Sequence, residues 1–176
     1  RITLATIEVL KNFYSFRIKT FKIQSGIKKT KWRGRLEFIS KNALADCAHN
    51  TAGFEALKRE LTSIMEGKNF KEIFFVIGIQ KTKDISAMLE KINPLITKVI
   101  FTKSKNETAA EPQDLLDTYK KINSQKNNPQ KNFSKKSFFA KAISNPKKAL
   151  VYARKMAGSE DLIVVTGSIY MVGEII

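Results

Sequence analysis

Ile73-Phe74-Phe75-Val76-Ile77-Gly78-Ile79 is the longest apolar run in the chain. At seven residues it is far below the roughly 18 that a membrane-spanning helix needs. Its β-branched and aromatic content reads as a short strand covered on both faces, which places it centrally in a sheet. Outward from this run, apolar stretches alternate with helical spacing, the pattern of an α/β layer structure.

Upstream, Leu36 to Ser40 and Ala43 to Cys47 read as two strands joined by the turn Lys41-Asn42. Thr51 to Glu66 follows as a helix with Phe54, Leu57, Leu61, Ile64 and Met65 on one face and Gly67 as its stop. Downstream, Asp84 to Ile92 reads as a helix ended by Asn93-Pro94, and Lys98 to Thr102 as a strand. Glu111 to Ile122 is helical, with Pro112 in the first turn where its missing N–H is harmless. The polar tract Asn123 to Lys136 reads as a loop. Phe138 to Ile143 is a short strand, Pro146 to Ala157 a helix and Asp161 to Gly167 a second buried strand, leading to a partly apolar end. Before all this, Arg1 to Phe13 has near-helical apolar spacing through Ile2, Ile7, Leu10 and Phe13, while the basic, sparsely apolar Lys19 to Lys31 reads as a linker. The chain opens in helical pattern and without Met, which suggests a fragment of something longer.

The 176 residues fit one ordinary domain with a short arm, and 43% hydrophobic residues suffice for a core. The net charge of +16 would attract phosphates, nucleic acid or acidic substrates. That excess comes from 26 Lys and only 6 Arg, and Lys lacks the bidentate fork that reads phosphates and bases. With little aromatic interleaving, this argues against nucleic acid as the partner. A stand-alone basic nucleic-acid module is kept as the alternative from a different class, one that would bind with a steep salt slope. One cysteine, Cys47, excludes an intrachain disulfide framework or a cysteine zinc site and suits a reducing cytoplasm. Neither a phosphate-loop motif nor a dinucleotide-binding glycine motif is present, and a single His cannot form a two-His metal motif.

Ligands of α/β sheets bind at the carboxyl ends of strands. One such end is Asp46-Cys47-Ala48-His49-Asn50. There Asp46 is suited to a ribose hydroxyl and His49 to a carboxylate or phosphate, though an Asx turn and a packing histidine would look the same. The other is Thr166-Gly167-Ser168, where Gly permits close approach and Ser168 offers either a ligand hydroxyl or an N-cap. Trp32-Arg33-Gly34-Arg35 places two arginines around a glycine, suited to clamping phosphate or to packing on a neighbouring domain. Cys47 reads as a small core residue.

The stretches Trp32-Arg33-Gly34-Arg35-Leu36-Glu37, Asp46-Cys47-Ala48-His49-Asn50 and Thr166-Gly167-Ser168-Ile169-Tyr170, ahead of Val172-Gly173-Glu174, occur in that order. Together they resemble the C-terminal domain of folylpolyglutamate synthase/dihydrofolate synthase, in the Mur ligase superfamily, over Trp32 to Ile176. The resemblance implies a mostly parallel Rossmann-like sheet with helices on both faces. It makes residues 1–31 the last helix of a central domain and its hinge, and 32–176 the ligase C-terminal domain. It also implies an ATP-dependent addition of glutamate to folate or dihydropteroate through an acyl phosphate, with Mg²⁺ and the phosphate loop held by an N-terminal ATPase domain. By motif match, Arg35 and Asp46 would contact ATP and His49 and Ser168 the glutamate, with Asn50, Trp32 and Gly167 as further contacts. Another amide ligase of the superfamily, acting on a cell-wall precursor, is the near alternative. The sequence departs from the usual pattern at Arg33, where Pro is usual, at Cys47, where Gly is usual, and at Thr51, where Pro often opens the helix.

Overall fold

The computed structural model describes residues 2–124 and 139–176. The chain divides into two compact units, Arg1–Trp32 and Arg33–Ile176. The first holds two helices, α1 (Ile2–Phe13) and α2 (Thr20–Lys29), and none of its described residues is buried. The stretch Lys19 to Lys31, expected to be a linker, is therefore mostly helical. Ile23 and Ile27, four apart, supply a minimal apolar stripe among the charges.

In the second unit the two upstream strands form as anticipated, β1 (Glu37–Ser40) and β2 (Ala43–Asp46). They are followed by α3 (Thr51–Lys68), β3 (Ile73–Ile77), α4 (Ile85–Ile92) and a single 3₁₀ turn at Asn93–Leu95. Then come β4 (Lys98–Phe101), α5 (Pro112–Ser124), β5 (Phe139–Ala142), α6 (Pro146–Met156), β6 (Leu162–Thr166) and α7 (Ile169–Gly173). The helix starts are chemically explicit. The side chains of Asn50, Asp84 and Asn145 accept from the backbone N–H groups of Gly53, Ala87 and Lys148, satisfying donors left free by the first turn. α3 does not stop at Gly67. It continues to Lys68 and ends at Asn69, which takes the left-handed conformation with φ 55°. Of the tract expected to be a loop, Asn123 and Ser124 close α5, and the remainder lies outside the described residues.

The six strands form one sheet in the order β1-β2-β6-β3-β4-β5. β1 runs antiparallel to β2, and every other pairing is parallel. Side chains alternate across the sheet as the two-residue strand period requires. Phe75, Ile77, Val164 and Leu44 pack with Phe54, Leu61, Met88 and Tyr119 from α3, α4 and α5 on one face. Phe74, Val76, Ile163 and Val165 pack with Ala149, Ala153, Met171 and Val172 from α6 and α7 on the other. β3, read from sequence as central, is fully buried and lies between β6 and β4. No described helix is long and apolar enough to cross a membrane.

Candidate functional site

Five parallel strands share one carboxyl edge, and there β2, β6 and β3 lead into residues 47–50, 167–168 and 78–84. The helices after β2 and β3 pack on one face, whereas α7, after β6, packs on the other. Connections that leave adjacent strands toward opposite faces open a crevice beside β6, the position where sheets of this kind take ligands.

Arg35, Asp46, His49 and Ser168 converge around that crevice. Asp46 closes β2 and is 7% exposed, and both of its carboxylate oxygens already serve the backbone. Oδ1 accepts from Ala48 N at 2.9 Å and Oδ2 from Leu36 N at 3.0 Å. The first bond is the Asx turn foreseen as the plain explanation of an Asp at this position. The second holds Leu36, whose φ of 45° is strained for a branched side chain. Asp46 thus fastens the turn that carries Arg35. Its free lone pairs leave capacity for one more donor.

The turn has a second clamp. Glu37 accepts from Gly34 N at 2.7 Å and pairs with Arg33 Nε at 2.9 Å, while the Gly34 carbonyl accepts from Cys47 N at 2.7 Å. The Gly34 bond, aided by Arg33, holds the Glu37 carboxyl below its ordinary range. Gly34 takes φ 67°, and a Cβ there would lie 2.6 Å from Cys47 Sγ. With Arg33 paired to Glu37, Arg35 is the arginine left exposed, without a hydrogen bond or ion pair to a described residue. Burial pushes the Cys47 thiol up despite the opposing charge of Arg35, which keeps it an inert thiol.

His49 is half-buried, and its Nδ1 lies 2.9 Å from the Cys47 carbonyl. A carbonyl only accepts, so the contact places a proton on Nδ1 and leaves Nε2 as the remaining functional atom of the ring. Asn50 is committed as the N-cap of α3. Ser168 stands at the N-cap position of α7, yet its side chain makes no cap bond. Its hydroxyl is buried and unpartnered, so the plain reading of an N-cap serine fails at this residue. Gly167, at φ 110°, makes its close approach to backbone: its N–H donates to the Ala48 carbonyl at 3.1 Å, and a Cβ would lie 2.5 Å from the Gly78 oxygen. Trp32 belongs to the first unit, and the other candidates belong to the second.

Sequence reasoning gave no role to Glu37, Leu36 or Gly78. Gly78 had a visible signal, a glycine interrupting an apolar strand run, which marks close backbone approach. Glu37 had a weaker one, an acid three residues after a glycine between arginines. Nothing in the sequence marks Leu36 as strained. Among the described residues, no three His, Cys, Asp or Glu lie together as a metal site.

The class follows from this frame. The family model described as Mur ligase, glutamate ligase domain, matches residues 34–169, and the chain belongs to that family. Its relatives are folate enzymes. The dihydrofolate synthase/folylpolyglutamate synthase of Bacillus subtilis (strain 168) is 23% identical over 155 residues, 87% of this chain and 32% of that protein. Among solved structures, E. coli FolC in complex with ADP superposes with a TM-score of 0.74 at 20% identity, over 90% of this chain and 34% of that one. The folylpolyglutamate synthase of Thermotoga maritima does so with 0.68 at 27%, over 97% and 35%. The chain spans about a third of the length of these relatives.

Proposed function

We propose that this chain is the closing domain of an ATP-dependent ligase that joins glutamate to folate or dihydropteroate. The observation that carries the reading is the convergence of Arg35, Asp46, His49 and Ser168 on the crevice beside β6 in a chain of the glutamate ligase family. A carboxylate is a poor electrophile. In the proposed reaction the acceptor's terminal carboxylate takes the γ-phosphoryl group of ATP and releases ADP, the amine of glutamate attacks the resulting acyl phosphate, and inorganic phosphate and the amine's proton leave as the amide forms.

The residues fit an anionic nucleotide. Arg35 is exposed and unpaired, suited to the ATP phosphates. Asp46 has acceptor capacity left for a ribose hydroxyl after its two backbone bonds. His49, through Nε2, and Ser168, through its hydroxyl, hold the incoming glutamate. Asn50 serves α3 and acts only through the helix it starts. The phosphate loop and Mg²⁺ ligands come from an N-terminal ATPase domain, and the ligase works in the cytoplasm.

The test is reconstitution. Joined to such an ATPase domain, the chain is expected to ligate glutamate to folate with ATP and Mg²⁺, and Arg35→Ala to lower kcat/KM about 100-fold, the usual size for a lost electrostatic contact. Unchanged activity in Arg35→Ala overturns its assignment, and preference for a muropeptide acceptor over folate moves the chain to the cell-wall branch of the family.

A further inference from the structure

The helices α3, α4 and α5 mix acids with their bases, and Lys91 with Glu55 and Lys120 with Asp117 form ion pairs among them. α6 does not. From Phe139 to Ser159 the chain has four Lys, one Arg and no acid, so the excess here is local and goes beyond a lysine-rich surface. Ala149, Leu150 and Ala153 are buried, and Lys147, Lys148, Val151, Arg154 and Lys155 are exposed. Val151 is three or four residues from each of the four cations, the spacings at which helix side chains are neighbours. It therefore stands at the middle of the outer face, with two cations a turn before it and two a turn after. None of the four forms an ion pair with a described residue. Val151 is 50% exposed, and a β-branched residue suits an exposed helix position less well than alanine or lysine.

We propose that the outer face of α6 docks an acidic segment of another protein, one that presents a large apolar side chain between carboxylates. Lys147, Lys148, Val151, Tyr152 and Lys155 line a hollow of about 340 Å³. Val151, Tyr152 and the lysine stems give it apolar walls, while the ammonium groups stay in water. The Tyr152 ring is held by Phe139, stacked at 6.1 Å, and by the Lys141 ammonium, 4.5 Å from its centre. A phosphate backbone needs the cations and has no use for an apolar hollow, and a membrane surface takes a protruding apolar face, not a recessed one. An apolar side chain flanked by carboxylates uses both features. A second copy of this chain is opposed by its net charge of +16. The proposal is independent of the ligase reading, since the face lies on the side of α6 turned away from the sheet and its crevice.

Fluorescence anisotropy with a labelled peptide, Glu-Glu-Asp-Phe-Asp-Glu-Glu, and the full chain tests it. Saturable binding is expected. The double variant Lys148→Glu/Lys155→Glu is expected to weaken it about tenfold or more, whereas Arg59→Glu/Lys121→Glu, the same change of net charge at exposed positions of α3 and α5, costs less than about twofold. Val151→Ser is expected to weaken binding of this peptide about tenfold, the size of a lost apolar anchor, and to leave the weaker binding of Glu-Glu-Asp-Ser-Asp-Glu-Glu unchanged. All of these side chains are exposed, so unaltered circular dichroism is expected throughout. The proposal is overturned by absence of saturable binding, by equal losses in the two double variants, or by equal affinity for the phenylalanine and serine peptides. Tighter binding of phosphatidylserine vesicles or duplex DNA, weakened by Lys148→Glu/Lys155→Glu, also overturns it and gives the face to a membrane or a nucleic acid.

Discussion

Asp46 shows how one carboxylate serves two ends. Its bonds to Leu36 N and Ala48 N tie the turn bearing Arg35 to the end of β2. Asp46→Ala therefore removes two charge-assisted bonds and is expected to lower stability by about 3 kcal/mol, measured by urea unfolding, in addition to any effect on nucleotide. Gly167 is constrained more severely. Gly167→Ala combines φ 110° with a Cβ 2.5 Å from a carbonyl oxygen that cannot swing aside, and a loss of about 3 kcal/mol or more is expected in the same assay. Glu37 adds a pH dependence. Its carboxyl is held below its ordinary value of 4.5, so the Gly34 bond contributes fully above that value and is lost as pH falls through the lower, folded one. The amide resonance of Gly34 is expected to move with a midpoint below 4.5, and Glu37→Gln to abolish the transition.

At the scale of elements, α3 carries His49 and Asn50 at its entrance, packs on one face of the sheet and leads into β3. Asn50→Ala leaves the Gly53 N–H without its partner and is expected to destabilise the domain by about 1 kcal/mol. The central strand β3 was legible because five successive β-branched and aromatic residues, Ile73 to Ile77, have few other solutions in water. The crevice was legible for a related reason, since strand ends followed by helix starts at Asn50 and Ser168 fall where ligands of such sheets gather. The helix α2 was not legible, because two isoleucines among lysines give little periodicity to read. Nor was the end of α3, where the exposed Gly67 stays helical and Asn69 takes the left-handed turn instead. Local chemistry decided the candidates differently as well. The plain explanation holds for Asn50 and accounts for part of Asp46, and it fails for Ser168, whose missing cap bond only coordinates reveal.

For the whole molecule, every buried residue among the described ones lies in the unit Arg33–Ile176, and both hydrophobic clusters belong to it. A chain beginning at Arg33 is expected to unfold cooperatively with stability within about 1 kcal/mol of the parent, because both hydrophobic clusters lie in the unit it keeps; urea titration followed by circular dichroism measures it. The strand order also dictates a schedule. β6, the last of the described strands in chain order, is inserted between β2 and β3, and its partner in β2 lies about 120 positions earlier in the chain, a separation that slows closure. Until residues 162–166 are made, the strands before them can form only two half-sheets, β1-β2 and β3-β4-β5, with open, hydrophobic edges. Joining the half-sheets creates the crevice beside β6, so a polypeptide cut short before Leu162 is expected to expose those edges and to lack Ser168.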